Sequence, residues 1–168
     1  MAHQQVTLRE ITAETRPVIT DLGVSPAQQA YVAANAVSIA EAEGNPGAWY
    51  RAVYAGAQPV GFVMLFDPAA PGAILKGPIE RTDMGLWRLM IDRRFQGRGF
   101  GRQTLNLIVD HVQARGGFRR LLTGHVPGPD GPEGFYLSAG FSKTGRLRND
   151  GKEIEIVLAL EQIQAEGH

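Results

Sequence analysis

Apolar and polar residues alternate along several short stretches of the chain, which is the period of half-buried β-strands. The alternation predicts strands over residues 6–11, 48–54, 60–66, 119–125, 141–147 and 152–160. The run over 84–92 is nearly continuous in apolar residues and predicts a central strand buried on both faces. Asn149-Asp150-Gly151 lies between the last two strands and predicts a hairpin turn.

Helical periodicity is clearest between Leu105 and Val112, where four apolar residues recur at i, i+3, i+4 and i+7. A second helix is predicted from Pro26 to residue 43, with Ser25 as its N-cap and Gln28 completing a capping box. Shorter helices are predicted over 16–22 and 135–140.

The predicted elements follow one another as β–α–α–β–β–β–α–β–α–β–β, which is the pattern of an α/β protein with a sheet of mixed direction. The unit from 84 to 125 predicts two parallel strands joined by a right-handed crossover. Residues 67–83 hold three prolines and predict a long loop. With 168 residues, we expect one domain over 1–168.

Composition excludes several classes of site and of protein. The chain has no cysteine, so disulfides, thiolate zinc sites and cysteine nucleophiles are excluded, and its four histidines lack metal-ligand spacing. We therefore expect no metal. No signal peptide or uncharged apolar run of about 20 residues is visible, so we expect a cytoplasmic protein without a membrane partner.

Charge is distributed unevenly, although the formal net charge is zero. Eight arginines lie between Arg88 and Arg120, against only Asp92 and Asp110. The zero total argues against nucleic acid as a partner, while the local basic block suits a small ligand that carries phosphate. The alternative is a solvated, arginine-rich face.

A glycine-rich turn lies between the predicted central strand and the helix that follows it. Its sequence is Gln96-Gly97-Arg98-Gly99-Phe100-Gly101, and the free N–H groups of the helix start form an anion site there. Arg94, Arg98 and Arg102 add positive charge. The turn lacks the Lys-Ser/Thr of a nucleotide-binding P-loop and the spacing of a dinucleotide fingerprint. The alternative is a turn that serves only fold geometry.

Two segments resemble the GNAT-type N-acetyltransferases. Gln96-x-x-Gly99-x-Gly101 is similar to the family's acetyl-CoA-binding motif, and the segment 133–141 resembles its second signature, a short helix that ends in Gly-Phe. The segments 29–42 and 49–65 are similar to spermine/spermidine N-acetyltransferases. The resemblance implies a single-domain GNAT-like α/β fold: a mixed, strongly twisted sheet of about seven strands flanked by about four helices.

The resemblance also implies where acetyl-CoA binds. The strand before the turn would pair with the pantetheine arm through Leu89, Met90 and Ile91, and an N–H of Met90 or Leu89 would stabilise the oxyanion. Backbone N–H groups of the turn would hold the pyrophosphate. These belong to Gln96, Gly97, Arg98, Gly99, Phe100 and Gly101, with Arg102 beside them.

Tyr136 matches the family tyrosine that protonates the leaving thiolate. Its alternative role is that of an aromatic anchor for the short helix. The family often has an asparagine about seven residues earlier that contacts CoA. This chain has Pro129 there, which puts that contact in doubt and predicts that the helix starts near Pro132.

A general base must take a proton from the attacking amine. Asp83, just before the central strand, is our candidate, ahead of Glu80, Glu41 and Glu43. The alternative for Asp83 is a solvated loop carboxylate. Glu41 and Glu43 lie at a helix C-terminus, which disfavours anions and hints at a cationic partner.

The expected function is acetyl transfer from acetyl-CoA to a primary amine, with a polyamine-like small molecule as the favoured acceptor. An aminoglycoside or a peptide amine is the alternative acceptor, and a non-catalytic acyl-CoA sensor is the alternative function. A homodimer is expected only from the general frequency of dimers.

Overall fold

Seven strands and four α-helices make up the part of the chain that the computed structural model describes, residues 4–161. The strands are β1 Val6–Arg9, β2 Ala48–Ala55, β3 Gln58–Phe66, β4 Asp83–Ile91, β5 Arg120–His125, β6 Ser142–Arg148 and β7 Glu153–Ala159. The helices are α1 Arg16–Asp21, α2 Asn35–Glu43, α3 Phe100–Arg115 and α4 Glu133–Ser138. The predicted α/β class is confirmed.

The strands form one mixed sheet in the order β1-β2-β3-β4-β5-β7-β6. All neighbouring pairs are antiparallel except β4 and β5, which pair in parallel and are connected in sequence by the helix α3. The prediction of one parallel pair around this helix is therefore confirmed. No helix within residues 4–161 is long and apolar enough to cross a bilayer.

Two hydrophobic clusters cover the two faces of the sheet. The first packs the apolar stripe of α3, with Leu105, Ile108 and Val112 fully buried, against one face. The second packs α1 and α2 against the other face, through Ile19 and Ile39. Because β3 is covered on both faces, its residues from 60 to 66 are all buried, which explains its unbroken apolar sequence.

The helix predicted from residue 26 to residue 43 is wrong in its first half. The chain forms a short 3₁₀ turn at Pro26–Gln28, and Ser25 makes no side-chain capping bond. The α-helix begins only at Asn35, whose buried amide donates to the carbonyl of Ile19 at 2.9 Å. This long-range contact fixes the helix start, so tertiary packing outweighs the local capping pattern.

A fork between β4 and β5 is the feature that positions the site. The two strands pair only at Asp83–Arg120, Met84–Leu121 and Gly85–Leu122. Beyond these pairs β4 continues to Ile91 and β5 to His125 without pairing to each other. The Thr123 hydroxyl closes the apex of the fork by donating to the Leu86 carbonyl at 2.8 Å. The opening leaves backbone groups of β4 available to a ligand.

Candidate active site

The free edge of β4 presents the peptide groups of Leu89 and Ile91 to the fork. Asp92 donates its N–H to the Val60 carbonyl at 2.7 Å, so this pair bonds across the β3–β4 ladder. Bonding alternates along an antiparallel ladder, so Met90 also bonds towards β3, whereas Leu89 and Ile91 face away from it. Of the two expected oxyanion donors, this register favours the N–H of Leu89 over that of Met90.

A β-bulge precedes this edge. Met64 pairs with Arg88 and Leu65 pairs with Leu86, which leaves Trp87 as the extra residue of β4. Bulges bend a strand and increase its twist, and they commonly lie next to active sites. The bulge lies two residues before Leu89, at the level where β4 and β5 separate.

The glycine turn has the backbone that an anion site requires. Gly97 and Gly99 have φ angles of 76° and 83°, a region that favours glycine, and Gly99 caps α3 without any side-chain hydrogen bond. The first N–H groups of α3 therefore remain free to bind a ligand. Gln96 fixes the turn to the strand, because its Nε2 donates to the Ile91 carbonyl at 2.8 Å.

The basic block contains two groups of arginines that bear on the site. Four of its eight members form ion pairs: Arg88 with Glu41, Arg94 with Asp92, Arg115 with Asp67, and Arg120 with Asp83. Arg98 and Arg102, which flank the glycine turn, are exposed and have no carboxylate partner within residues 4–161. Four arginines of the block therefore have structural ion pairs. Two others keep their charge unpaired beside the turn, as a ligand that carries phosphate would require.

Two adjoining cavities fill the fork and the space around it. The first, about 760 Å³, is lined by Leu89, Ile91, the glycine turn and Tyr136. The second, about 710 Å³, lies between the β6–β7 turn, the loop at 76–79 and Glu41. The residues that line both cavities are Trp87, Arg88, Thr123, Gly124, Asn149 and Glu153.

Tyr136 lines the first cavity and packs between two aromatic rings. Its ring makes edge-to-face contacts with Phe135 and Phe141, at centroid distances of 5.2 and 5.1 Å. Its hydroxyl has no hydrogen-bond partner among the described residues. Burial raises the pKa of Tyr136 well above its usual value of 10. The phenol thus stays protonated at neutral pH and is free to donate that proton.

Asp83 does not lie where a base would have to be. It is only 1% exposed and lines neither cavity. Both of its oxygens accept hydrogen bonds from Arg120, at 2.8 and 2.9 Å. The geometry therefore argues against Asp83 as the general base. The alternative of a solvated loop carboxylate is not what the structure shows either, because Asp83 forms an ion pair that joins β4 to β5.

The other three expected base candidates are also placed away from the fork or already paired. Glu80 is exposed on the loop before β4 and lines neither cavity. Glu41 pairs with Arg88 at 3.2 Å, and Glu43 pairs with Arg16. The cationic partners suggested by the helix C-terminus are therefore arginines of the chain itself.

The loop before α4 has the shape that its sequence predicts. The helix starts at Glu133 with Pro132 as N-cap, so the prediction of a late start is confirmed. Tyr31 packs against Gly128 and Gly131, where any Cβ would collide with its ring. The segment that replaces the expected first half of the second helix therefore closes one side of the first cavity.

Asp92 ties the end of β4 to the segment after α1. Its carboxylate accepts hydrogen bonds from the N–H of Gly23 and from the N–H and Nε of Arg94, each at 2.9 Å. Burial opposes ionisation of this group, but the hydrogen bonds from Arg94 and Gly23 outweigh it, so the pKa of Asp92 lies below its ordinary value.

Replacing Asp92 by Asn should lower the free energy of unfolding at pH 7 by about 2 kcal/mol, because charge-assisted hydrogen bonds are lost. A carboxyl with a depressed pKa in the folded state stabilises the fold above its unfolded pKa of about 3.9, and this contribution is lost as the pH falls below that value. Urea unfolding at pH 7 and pH 3 checks both parts. An equal difference between the two proteins at both pH values would contradict the assignment.

Sequence reasoning missed Glu153, the one carboxylate that lines both cavities. The pattern Lys152-Glu153-Ile154-Glu155 was available as a signal, since it places two carboxylates on one face of a strand. What the pattern does not reveal is that β7 lies next to β5, which brings Glu153 to the fork.

Comparison with known proteins gives a consistent family assignment. The sequence profile of the Acetyltransferase (GNAT) family matches residues 8–141. The chain is 24% identical over 155 residues to the spermine/spermidine N(1)-acetyltransferase of Bacillus subtilis (strain 168), a match that covers 90% of this chain and 97% of that protein.

Solved structures agree in fold. An acetyltransferase from Thermus thermophilus superposes with a TM-score of 0.71 at 22% identity, covering 95% of this chain and 100% of the other. An aminoglycoside acetyltransferase in complex with coenzyme A gives a TM-score of 0.73 at 15% identity, covering 92% and 95%.

The fork between β4 and β5 and the glycine turn at the start of α3 belong to the part of the chain that the family profile matches, as does the tyrosine of α4. The chain therefore belongs to the GNAT family of N-acetyltransferases, enzymes that use acetyl-CoA as co-substrate.

Proposed function

We propose that this enzyme transfers the acetyl group of acetyl-CoA to the primary amine of a polyamine-like small molecule by direct attack. The observation that carries the proposal is the fork. One opening exposes the peptide group of Leu89 and the N–H of Ile91 on β4, and the cavity that fills it also contains a protonated tyrosine hydroxyl without a partner among the described residues.

Acetyl-CoA binding is assigned to the first cavity. The N–H groups of residues 96–101 would hold the pyrophosphate, with Arg98 and Arg102 supplying positive charge. The pantetheine arm would extend β4 like an added strand along Leu89 and Ile91, with Met90 directed to the β3 side. The N–H of Leu89 would then donate to the thioester oxygen as negative charge develops there.

The chemistry of the transfer requires no covalent intermediate with the enzyme. The amine nitrogen forms a bond to the thioester carbon, the carbon–sulfur bond breaks, and the thiolate takes a proton. Tyr136 is the group we assign to that protonation, because its hydroxyl is protonated and has no competing partner within residues 4–161.

A polyamine-like acceptor is favoured by two observations. The match to a polyamine acetyltransferase extends over nine-tenths of the chain. Of the charged residues that line the second cavity, Glu41, Arg88 and Arg148 form ion pairs within the chain, which leaves Asp150 and Glu153 beside Lys76. The two carboxylates without an ion-pair partner in the described part of the chain suit an acceptor with ammonium groups. An aminoglycoside is the second candidate acceptor, since it is also polycationic and the fold resembles that of an aminoglycoside enzyme.

Calorimetric titration with acetyl-CoA tests the first half of the proposal, with ATP and NAD as controls. We expect saturable binding of acetyl-CoA and none of the controls. Thiol release with spermidine, kanamycin and a dipeptide amide then tests the acceptor, and we expect the highest kcat/KM with spermidine. Turnover of the dipeptide alone would contradict the assigned acceptor class. A homodimer, a cytoplasmic location and the absence of a nucleic-acid partner stay predictions.

A further inference from the structure

Glu153 lies where the two cavities of the fork meet. Of the six residues that line both cavities, it is the only one with a carboxylate. It is the first residue of β7, directly after the turn that joins β6 to β7. A group in this position faces both the acetyl-CoA cavity and the cavity assigned to the acceptor.

The charge of Glu153 is not neutralised by the chain. Its side chain has no ion pair or hydrogen bond with any residue from 4 to 161. Two neighbouring carboxylates differ in this respect: Glu41 pairs with Arg88, and the buried Glu155 pairs with Arg148 at 2.9 Å. Asp150, in the exposed turn, also has no partner among residues 4–161 but lines only the second cavity. Arg148 is the cross-strand partner of Glu153, yet its guanidinium is taken up by Glu155.

Gly124 provides the space in which the Glu153 carboxylate lies. A Cβ at position 124 would come within 3.2 Å of Glu153 Oε2 and within 3.3 Å of the Cδ of Arg148. Gly124 is on β5, two residues beyond the last pair that β5 makes with β4. The carboxylate therefore rests on the backbone of β5 just where the fork has opened.

A partly buried carboxylate without a partner costs free energy unless a cation binds it. A cationic amine that binds where the two cavities meet would supply the partner that the Glu153 carboxylate lacks. The first cavity, which Glu153 lines, also contains the backbone edge of β4 to which the thioester is assigned.

We propose that Glu153 binds the ammonium group of the acceptor and accepts its proton before the attack. The inference rests on the proposed function. In the step, one N–H bond of the ammonium breaks and the proton moves to a carboxylate oxygen of Glu153. The lone pair left on nitrogen then forms the bond to the thioester carbon, and the carbon–sulfur bond breaks as Tyr136 protonates the thiolate. The nitrogen gives up a second proton, which restores the Tyr136 hydroxyl, and Glu153 returns its own proton to water after the product leaves.

Several charged groups face Glu153 from the elements around it. They are Arg148 on β6, Asp150 in the β6–β7 turn, Arg88 on β4, Glu41 on α2, Lys76 in the loop before β4 and His125 on β5, with Glu155 two residues further along β7 itself. The Lys76 ammonium lies over the ring of Trp87. Both arginines form ion pairs with other carboxylates, so neither takes the place of the acceptor's ammonium group.

The test compares Glu153→Gln with the wild type in thiol release from acetyl-CoA, with spermidine as the amine. At pH 7.5 we expect kcat/KM to fall by about 100-fold or more. Raising the pH to 9.5 supplies about a hundredfold more neutral amine, so the loss should shrink strongly there. The calorimetric dissociation constant for acetyl-CoA should not change, which also shows that the variant folds.

Glu80→Gln is the matched control, because it removes an exposed carboxylate that lines neither cavity, and its kcat/KM should stay within threefold of the wild type. A Glu153→Gln variant within threefold of the wild type at pH 7.5 overturns the inference. An equal loss at both pH values also overturns it, since a structural defect does not depend on the amine's proton. A wild type without turnover on any tested amine overturns the proposed function instead.

Discussion

Replacing Tyr136 by Phe should lower kcat by about 10²- to 10³-fold while leaving the affinity for acetyl-CoA unchanged. The variant removes one oxygen atom and keeps the ring. Because two edge-to-face contacts with Phe135 and Phe141 hold that ring, the phenylalanine should occupy the same position. The hydroxyl has no hydrogen-bond partner among the described residues, so its loss leaves no other group unpaired.

The reason for so large an effect is the leaving group. A thiolate that departs without a proton can rejoin the carbonyl carbon, whereas a protonated thiol cannot. The raised pKa keeps the proton on Tyr136 throughout the neutral range, so its deprotonation should produce no fall in activity below pH 10.

Stopped-flow detection of thiol release measures kcat, and calorimetry measures the affinity for acetyl-CoA. Tyr54→Phe is the matched control, because Tyr54 is equally buried but lies on β2 and lines neither cavity. We expect that control to keep its kcat within twofold. A Tyr136→Phe variant with unchanged kcat would show that water or another group protonates the thiolate.

The parts of the site that could be predicted are those determined by neighbours in sequence. The glycine turn at 96–101 precedes a helix with an unbroken apolar stripe, and both the turn and the helix follow from local rules. The start of α4 near Pro132 also follows from local proline chemistry.

The parts that could not be predicted depend on strand pairing. Asp83 looks like a loop carboxylate in the sequence, but the register of β4 and β5 places it beside Arg120, which is 37 residues away. Glu153 looks like one of several polar residues in an alternating strand, and only the pairing of β7 with β5 brings it to Gly124. Neither placement has a signal at short range.

The late start of α2 also depends on a contact between residues that are distant in sequence. The capping pattern at Ser25 is locally sound, yet Asn35 forms a buried hydrogen bond to Ile19 that requires the helix to begin nine residues later than predicted. The intervening segment then packs Tyr31 on the loop at 128–131 and closes one side of the acetyl-CoA cavity. The segment in which the predicted helix fails to form therefore contributes to the wall of the site.

Replacing Arg120 by Met should lower the free energy of unfolding by about 3 kcal/mol, the largest effect on stability that we expect. The substitution leaves the carboxylate of Asp83, which is 1% exposed, without either of its two arginine hydrogen bonds. The hydrogen bonds to Asp83 also raise the pKa of Arg120 above its ordinary value.

The ion pair matters for the site because it lies at the closed end of the fork. Asp83 and Arg120 are the first pair of the short β4–β5 ladder, which extends only to Gly85 and Leu122. Every group assigned to acetyl-CoA on β4 lies beyond this ladder. Loosening its first pair should therefore also weaken acetyl-CoA binding, although neither side chain lines the cavity.

Thermal unfolding checks the prediction, with an expected fall in Tm of about 6 to 12 °C for a chain of this size. Arg16→Met is the control, because it breaks the ion pair with Glu43, in which both side chains are about half exposed, and it should cost at most about 1 kcal/mol. The double variant Asp83→Leu with Arg120→Met should recover much of the loss, since it removes the buried charge along with its partner. If Arg120→Met left Tm unchanged while Asp83→Asn abolished turnover, Asp83 would be a base after all.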